Sequence, residues 1–234
     1  MAVYKLFPYK DATLYSFYPN MNTGIDPINQ ISNLNIAVAS NPQVARFMTE
    51  FVQDEIEDVI NNKISGSDWD VELKSFIATA EAIVEATDIA VYPVGQFWFN
   101  GTGTYLDVPQ TTDGCTWNSP NFKGSIRWSG SGEDAFGNTI TGSYNATYAP
   151  QGGGAWLLNS GSTNFKVTQS FDTTSTKDLK VNAKEVVSRW YSGSMNNYGF
   201  IVKWEDSVEF NTNTQIQPVM QFYSVDTNTI YPPQ

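Results

Sequence analysis

Apolar side chains in this chain return at every second residue, in short runs broken by clusters of Gly, Asn, Ser, Thr and Pro. Trp69, Val71 and Leu73 alternate with Asp70, Glu72 and Lys74. A pleated strand points successive side chains to opposite faces, so this run predicts a half-buried strand from 69 to about 79. Residues 87–94 predict another, and 198–204 is the clearest strand in the chain. Aromatics reach 14%. With abundant Thr, Ser, Asn and Gly, they favour strands and tight turns over helices. Charged residues make up only 16% against 41% hydrophobic, which argues against disorder. The 234 residues suit one large all-β unit, and with no repeat and no linker, 1–234 reads as a single domain.

Other elements follow the same reasoning. Residues 11–16 form an opening strand, and 18–24 a turn in which Pro presets φ while Asn and Gly tolerate positive φ. Ile28, Ile31, Leu34, Ile36 and Val38 mark a second strand. Residues 44–52 fit both periods; strand is favoured for 45–52. A helix is predicted over 54–63, where Ile56, Val59 and Ile60 recur at helical spacing. Asp54, Glu55, Glu57 and Asp58 crowd its first half, where the helix dipole favours negative charge. Residues 65–68 end it, and 80–86 make a short helical or loop connection. The stretch 99–163 is loop-like, with Trp117, Trp128 and Trp156 isolated among turn residues. Such a long irregular stretch signals either function or short strands hidden in it. Strand character returns at 165–171. Residues 179–190 mix a strand start with a helical turn at 185–190, 192–197 form a turn, and 219–225 form the last strand.

The formal charge is −11. Lys5, Lys10, Arg46, Lys63, Lys74, Lys123, Arg127 and Lys166 stand singly, and cations thicken only over 177–189. Nucleic acid and anionic membranes need clustered cations, so neither is an expected partner. The chain has no histidine and one cysteine, Cys115. Ser-His-Asp and Cys-His catalysis, His-containing zinc or iron sites and thiolate metal sites are therefore excluded. Carboxylate chemistry alone remains. No internal disulfide can form, and no apolar run approaches the ~20 residues of a membrane span. The start of the chain shows no basic segment followed by an apolar run. It predicts synthesis in a reducing cytoplasm, with release, if any, by lysis. Asn-x-Ser/Thr at Asn100 and Asn145 is expected by chance in a chain this rich in Asn and Thr.

Several pieces in order carry a resemblance: Asp11-Ala12-Thr13, Pro19-Asn20-x-Asn22-x-Gly24, Gly95-Gln96-Phe97-Trp98 and Thr111-Thr112-Asp113-Gly114-x-x-Trp117. The series ends in Val186-Val187-x-x-Trp190-x-x-Gly193-x-x-Asn196-Asn197-x-Gly199-Phe200-Ile201. This order resembles the DNRLRE-type β-sandwich domains, related to disaggregatase repeats and carbohydrate-binding modules. It is more similar still to the form found in virion structural proteins of T4-like tailed phages of marine bacteria. That likeness adds Lys5-Leu6-Phe7-Pro8, Ile64-Ser65-Gly66, Trp69-Asp70-Val71-x-Leu73, Asn100-Gly101-Thr102-Gly103 and a terminal Ser224-Val225-Asp226-Thr227-x-Thr229-Ile230-Tyr231-Pro232-Pro233. The similarity runs from about residue 5 to the end. Such proteins usually continue past the Tyr-Pro-Pro element with another strand, so a further C-terminal region is expected to be lacking here. The resemblance implies a mostly β, jelly-roll-like antiparallel sandwich with one or two short helices. It implies a non-enzymatic virion component of tail, neck, baseplate or fibre, contacting other virion proteins, with homo-oligomers in a symmetric assembly. The alternative it implies is a module that binds a host-surface glycan.

Candidate sites divide by residue type. Trp98 and Trp190 are expected in the core. Trp117, Trp128 and Trp156 are the ligand-binding candidates: exposed on one face they would stack on a sugar ring, and otherwise each anchors its own loop. Gly152-Gly153-Gly154 lacks the Lys-Ser/Thr and helix of a phosphate loop. Glu133 and Asp134 with Asn138 offer oxygen ligands around Gly137 without the spacing of a calcium loop. Asp68/Asp70 and Glu205/Asp206 could be imagined as a glycosidase pair, and Glu57/Asp58 as a solvated helix face. No catalytic residue, metal site or cofactor is expected.

Overall fold

The computed structural model describes residues 3–34, 43–64, 66, 68–81, 83, 86–123, 126–142, 152–172, 177–211 and 217–234. Every strand pairing in it is antiparallel. The strands are β1 (Pro8–Tyr15), β2 (Ile28–Leu34), β3 (Gln43–Phe51), β4 (Glu72–Ser75), β5 (Ile77–Glu81), β6 (Thr87–Pro93) and β7 (Ser131–Glu133). They continue as β8 (Thr139–Thr141), β9 (Trp156–Ser160), β10 (Thr163–Asn164), β11 (Val167–Phe171), β12 (Leu179–Asn182), β13 (Phe200–Trp204) and β14 (Val219–Tyr223). The fold is the expected mostly β, antiparallel sandwich with few short helices.

The main sheet has eight strands, ordered β11-β6-β13-β3-β2-β14-β5, with β1 pairing along β3. β3 is its hub: β1 pairs with its length, β13 with residues 47–49 and β2 with 43–45. A second sheet runs β10-β9-β8-β7, and β12 pairs with β4 alone.

The central strands β3, β6 and β13 are largely buried on both faces, so their alternate residues serve two separate cores. Phe47, Ile89, Val91, Phe200, Val202 and Trp204 face one core, together with Phe222, Leu73, Leu179 and Val181. Helix α2 (Lys184–Tyr191) caps that core with Val186, Val187 and Trp190, and the Trp190 and Phe200 ring centroids lie 4.8 Å apart. The alternate residues Val44, Met48, Ala90, Tyr92 and Ile201 face a second core. Trp98, Cys115, Trp117, Trp128 and Trp156 cover it, so the long irregular stretch serves as a wall of the sandwich.

The helix expected over 54–63 is present but not uniform. Helix α1 (Gln53–Asp58) carries Asp54 and Glu55 in its first turn, then widens to a π-helical turn over Val59–Lys63. The single strand expected over 69–79 is two strands in different sheets. β4 joins β12 and β5 joins β14, with Phe76 between them giving its carbonyl to the Tyr223 N–H at 3.0 Å. A period of two is the same in either sheet, so the pattern alone could not show the change. The stretch expected to be loop contains β7, β8 and β9, each too short to raise a pattern above its Gly and Thr background. Helix α3 (Asp206–Glu209) is a single turn that the sequence reading missed. Ile36 and Val38 of the second expected strand, Ser65 and Ser67, part of the 80–86 connection and Asn145 lie outside the described residues.

Candidate functional site

The three candidate tryptophans do not form an exposed row. Trp117 is 0% exposed, and Trp128 and Trp156 are 3% exposed, so none offers a ring face to a sugar. Each closes the second core. The Trp128 indole N–H donates to the Thr116 carbonyl at 2.9 Å. Trp156 starts β9, its ring 5.8 Å from that of Tyr92. Trp117 receives the Gly153 N–H on its carbonyl at 2.7 Å. A large aromatic among turn residues is held by burying it, and here the loops fold back to do so. Trp98 and Trp190 are buried, as expected.

Beneath Trp117 and Trp156 lies a charged cluster that the sequence did not announce. Arg46 points from β3 into the second core and makes a bidentate pair with Glu209 of α3, Nε to Oε1 at 2.7 Å and Nη2 to Oε2 at 2.9 Å. Both side chains are wholly buried. The guanidinium also donates to the Gly153 carbonyl at 2.9 Å and lies 4.9 Å from the centre of the Trp117 ring. Lys203 on β13 sits 3.1 Å from Glu209 and 2.7 Å from Asp206. The fork geometry, the added backbone acceptor and the aromatic face are what make a buried charge tolerable. Gly152-Gly153-Gly154 is therefore packing around Trp117 and Arg46, not a phosphate cradle.

The same arrangement answers the carboxylate pairs. Glu205 pairs with Lys166 and Asp206 with Lys203. Burial works against the charge on Asp206, but Lys203, with Arg46 and Lys166, holds its carboxyl below the usual carboxylate range. A glycosidase general acid needs the opposite shift. Asp68 and Asp70 are exposed, and Asp70 accepts from its neighbour Val71 N–H and from Asn182. Glu57 accepts from Gln53 Nε2 at 2.7 Å. Asp134 accepts from the N–H groups of Phe136 and Asn138 and from the Asn138 amide, which makes it the cap of its own turn. Among the described residues no three His, Cys, Asp or Glu side chains group as a metal site. Burial pushes the Cys115 thiol up to about 12, so it is not a nucleophile at neutral pH.

The ordered motif pieces converge on one buried side chain. Asn22 donates to the Asn100 carbonyl at 2.7 Å and to the Cys115 carbonyl at 2.8 Å. Its Oδ1 accepts the Gly103 N–H at 2.8 Å and the Gly24 N–H at 3.2 Å. The Asn100 amide returns a bond to the Gly24 carbonyl at 2.6 Å, and Asp113 accepts from Thr102. Gly101, at φ +84°, lies so close to the Asn22 amide that a Cβ there would collide with it. The segments 19–24, 100–103 and 111–114 are thus one knot. At the other motif, Asn197 donates to the Phe51 carbonyl at 2.9 Å, and Gly199, at φ +83°, presses against the Thr49 carbonyl of β3.

What faces water is Phe and Tyr rather than Trp. Tyr9, Phe97 and Phe99 are each about half exposed and, with Tyr198, surround a buried Lys10–Glu50 pair at 2.9 Å. Lys10 also donates to the Trp98 carbonyl at 2.8 Å and lies 4.2 Å from the Trp98 ring centre. Tyr9 OH donates to Glu50 at 2.6 Å, and burial, then Glu50, raises its pKa. Alternation in Phe97-Trp98-Phe99 was the available signal: once Trp98 points in, its neighbours point out. A second group, Phe17, Tyr18, Ile25, Tyr105, Leu106 and Val108, sits at the tip of the loops that the knot joins. No family model matches the chain, and no curated protein matches it.

Proposed function

We propose that the protein is a non-enzymatic structural component of a tailed-phage virion, acting through protein–protein assembly. The observation that carries this reading is the use of the motif residues. Asn22, Asn100, Asp113 and Trp117 fasten loops to one another, and Asn197 and Gly199 fasten a loop to β3. Residues used in this way build a rigid scaffold, and on this reading its surfaces, not a cleft, do the work. The likeness to virion structural proteins of T4-like phages rests on those pieces, and the lack of histidine leaves little catalytic repertoire. Symmetric repetition turns modest surface contacts into a stable assembly. Mass spectrometry of purified virions, read with gene order, tests the proposal. The expected result is the chain in stoichiometric amount beside tail or neck proteins. Its absence from particles, with sugar-metabolism genes as neighbours, overturns it.

One observation favours glycan adhesion as a second reading, namely the exposed rings of Tyr9, Phe97 and Phe99. On a glycan array, that reading expects binding that Phe97→Ala abolishes while Trp117 stays buried. No binding to any glycan removes it.

A further inference from the structure

We infer that the apolar tip formed by residues 15–26 and 101–113 is a docking face for a protein that meets it with apolar side chains rimmed by Lys and Arg. This rests on the assembly reading above and names the chemistry of the partner.

Four rings of the tip run in series, with Phe17 and Tyr105 exposed and Tyr15 and Tyr18 half-buried. Ring centroids lie 4.8 Å apart for Phe17 and Tyr18, 6.0 Å for Tyr18 and Tyr105, and 5.1 Å for Tyr105 and Tyr15. Phe17 and Leu106 are 51% exposed and Val108 is 94% exposed. A contiguous exposed apolar surface marks an interaction site where scattered residues would not. The tip is also held in place. Asp26 accepts the Tyr105 N–H at 2.8 Å, Ile25 N–H donates to the Gly103 carbonyl at 3.1 Å, and Asp107 accepts the Thr111 N–H at 3.0 Å. Leu106 stands out further, because its φ of +56° is a left-handed conformation that a branched apolar residue rarely adopts. Its side chain is half in water, so packing within the fold does not offset the cost of that conformation. The aromatic group around Lys10 differs, since it shields a buried ion pair.

Charge selects the occupant. From Asp11 to Ala45 and from Ser75 to Phe122 the sequence holds no Lys or Arg. Both segments of the tip come from these stretches, and the charges they bring are Asp26, Asp107 and Asp113. Segments that bring three carboxylates and no cation disfavour a second copy of a chain that carries −11, as they disfavour nucleic acid and anionic lipid. They favour a basic-rimmed protein surface.

The test uses the purified full chain and two synthetic amphipathic helical peptides, one of Leu and Lys and one of Leu and Glu, titrated by calorimetry. Leu106→Asn with Val108→Ser is the companion variant. Asn tolerates the left-handed backbone, so the melting temperature is expected to hold or rise. The Leu/Lys peptide is expected to bind, the Leu/Glu peptide to fail, and the double variant to weaken binding by roughly tenfold or more. Failure of the Leu/Lys peptide to bind overturns the inference. So does equal binding by the variant, which would reflect only overall acidity, or binding of the Leu/Glu peptide. Self-association in the ultracentrifuge that the variant abolishes would assign the face to a second copy instead. Absence from virions removes the phage reading and leaves these titrations standing, whereas failed titrations remove only the tip.

Discussion

Glu209 illustrates how much a single buried charge can govern. It is 0% exposed and answers both Arg46 and Lys203. Removing one member of a buried pair leaves the others uncompensated, at about 3–5 kcal/mol. Glu209→Gln is therefore expected to lower the unfolding free energy from urea melts by an amount of that order, while the exposed Glu72, paired with Lys180, can become Gln with little effect. Asp11 has the opposite problem. Its Oδ2 accepts from Asn29 at 2.8 Å and from the Val225 N–H at 2.7 Å, but Oδ1 is buried without a hydrogen-bond partner among the described residues. Burial first, then the charges of Asp226 and Asp26, push its carboxyl up to about 7, against the two hydrogen bonds that lower it. A folded-state pKa above the unfolded value means stability that is fully present below pH ~4 and lost as pH rises through about 7. The shift corresponds to at most roughly 4 kcal/mol. Asp11→Asn keeps an acceptor for both donors and should remove this pH dependence, so that melts at pH 5 and pH 8 differ less than in the parent. An unchanged difference would clear Asp11 of the role.

At the scale of elements, loops and strands are joined by a few fully used polar groups. Asn22→Ala would strand the carbonyls of Asn100 and Cys115 and the N–H of Gly103. Each buried group left unpaired costs about 1–3 kcal/mol. Faster hydrogen exchange is expected at 100–103 and 114–115, with the amides of β13 unaffected at first; uniform change across the sheet would contradict a local knot. The strands β1, β2, β6, β11, β12, β13 and β14 were legible because apolar periodicity and turn residues coincide there, while β3 was legible only as the favoured of two periods. The break at Phe76 was not legible, because changing sheets leaves the period of two intact. Nor was the Arg46–Glu209 pair, whose members stand far apart in sequence. Of the two readings of Trp117, Trp128 and Trp156, their burial agrees with the anchoring of their own loops. Turn residues around a Trp suggest exposure, whereas loops 95–123 and 152–155 fold inward as a wall.

For the whole molecule, every Trp except Trp69 is buried. Native fluorescence should be blue-shifted and weakly quenched by acrylamide, with a large red shift on unfolding; strong quenching in the native state would contradict the closed second core. Among the described residues both faces of the central strands are covered, one by α2 and β12 and the other by the loops that carry Trp98, Trp117 and Trp128. The sequence by itself determined the β class, the ordered turn motifs, the acidic surface and the lack of histidine chemistry. These depend on residue type and local periodicity, which act over a few neighbours. Only the tertiary structure decided that Asn22 gathers three loops, that Arg46 is neutralised inside the sandwich, and that Phe and Tyr rather than Trp face water. Those outcomes depend on which distant segments share a core, where burial and pairing are set by packing between elements.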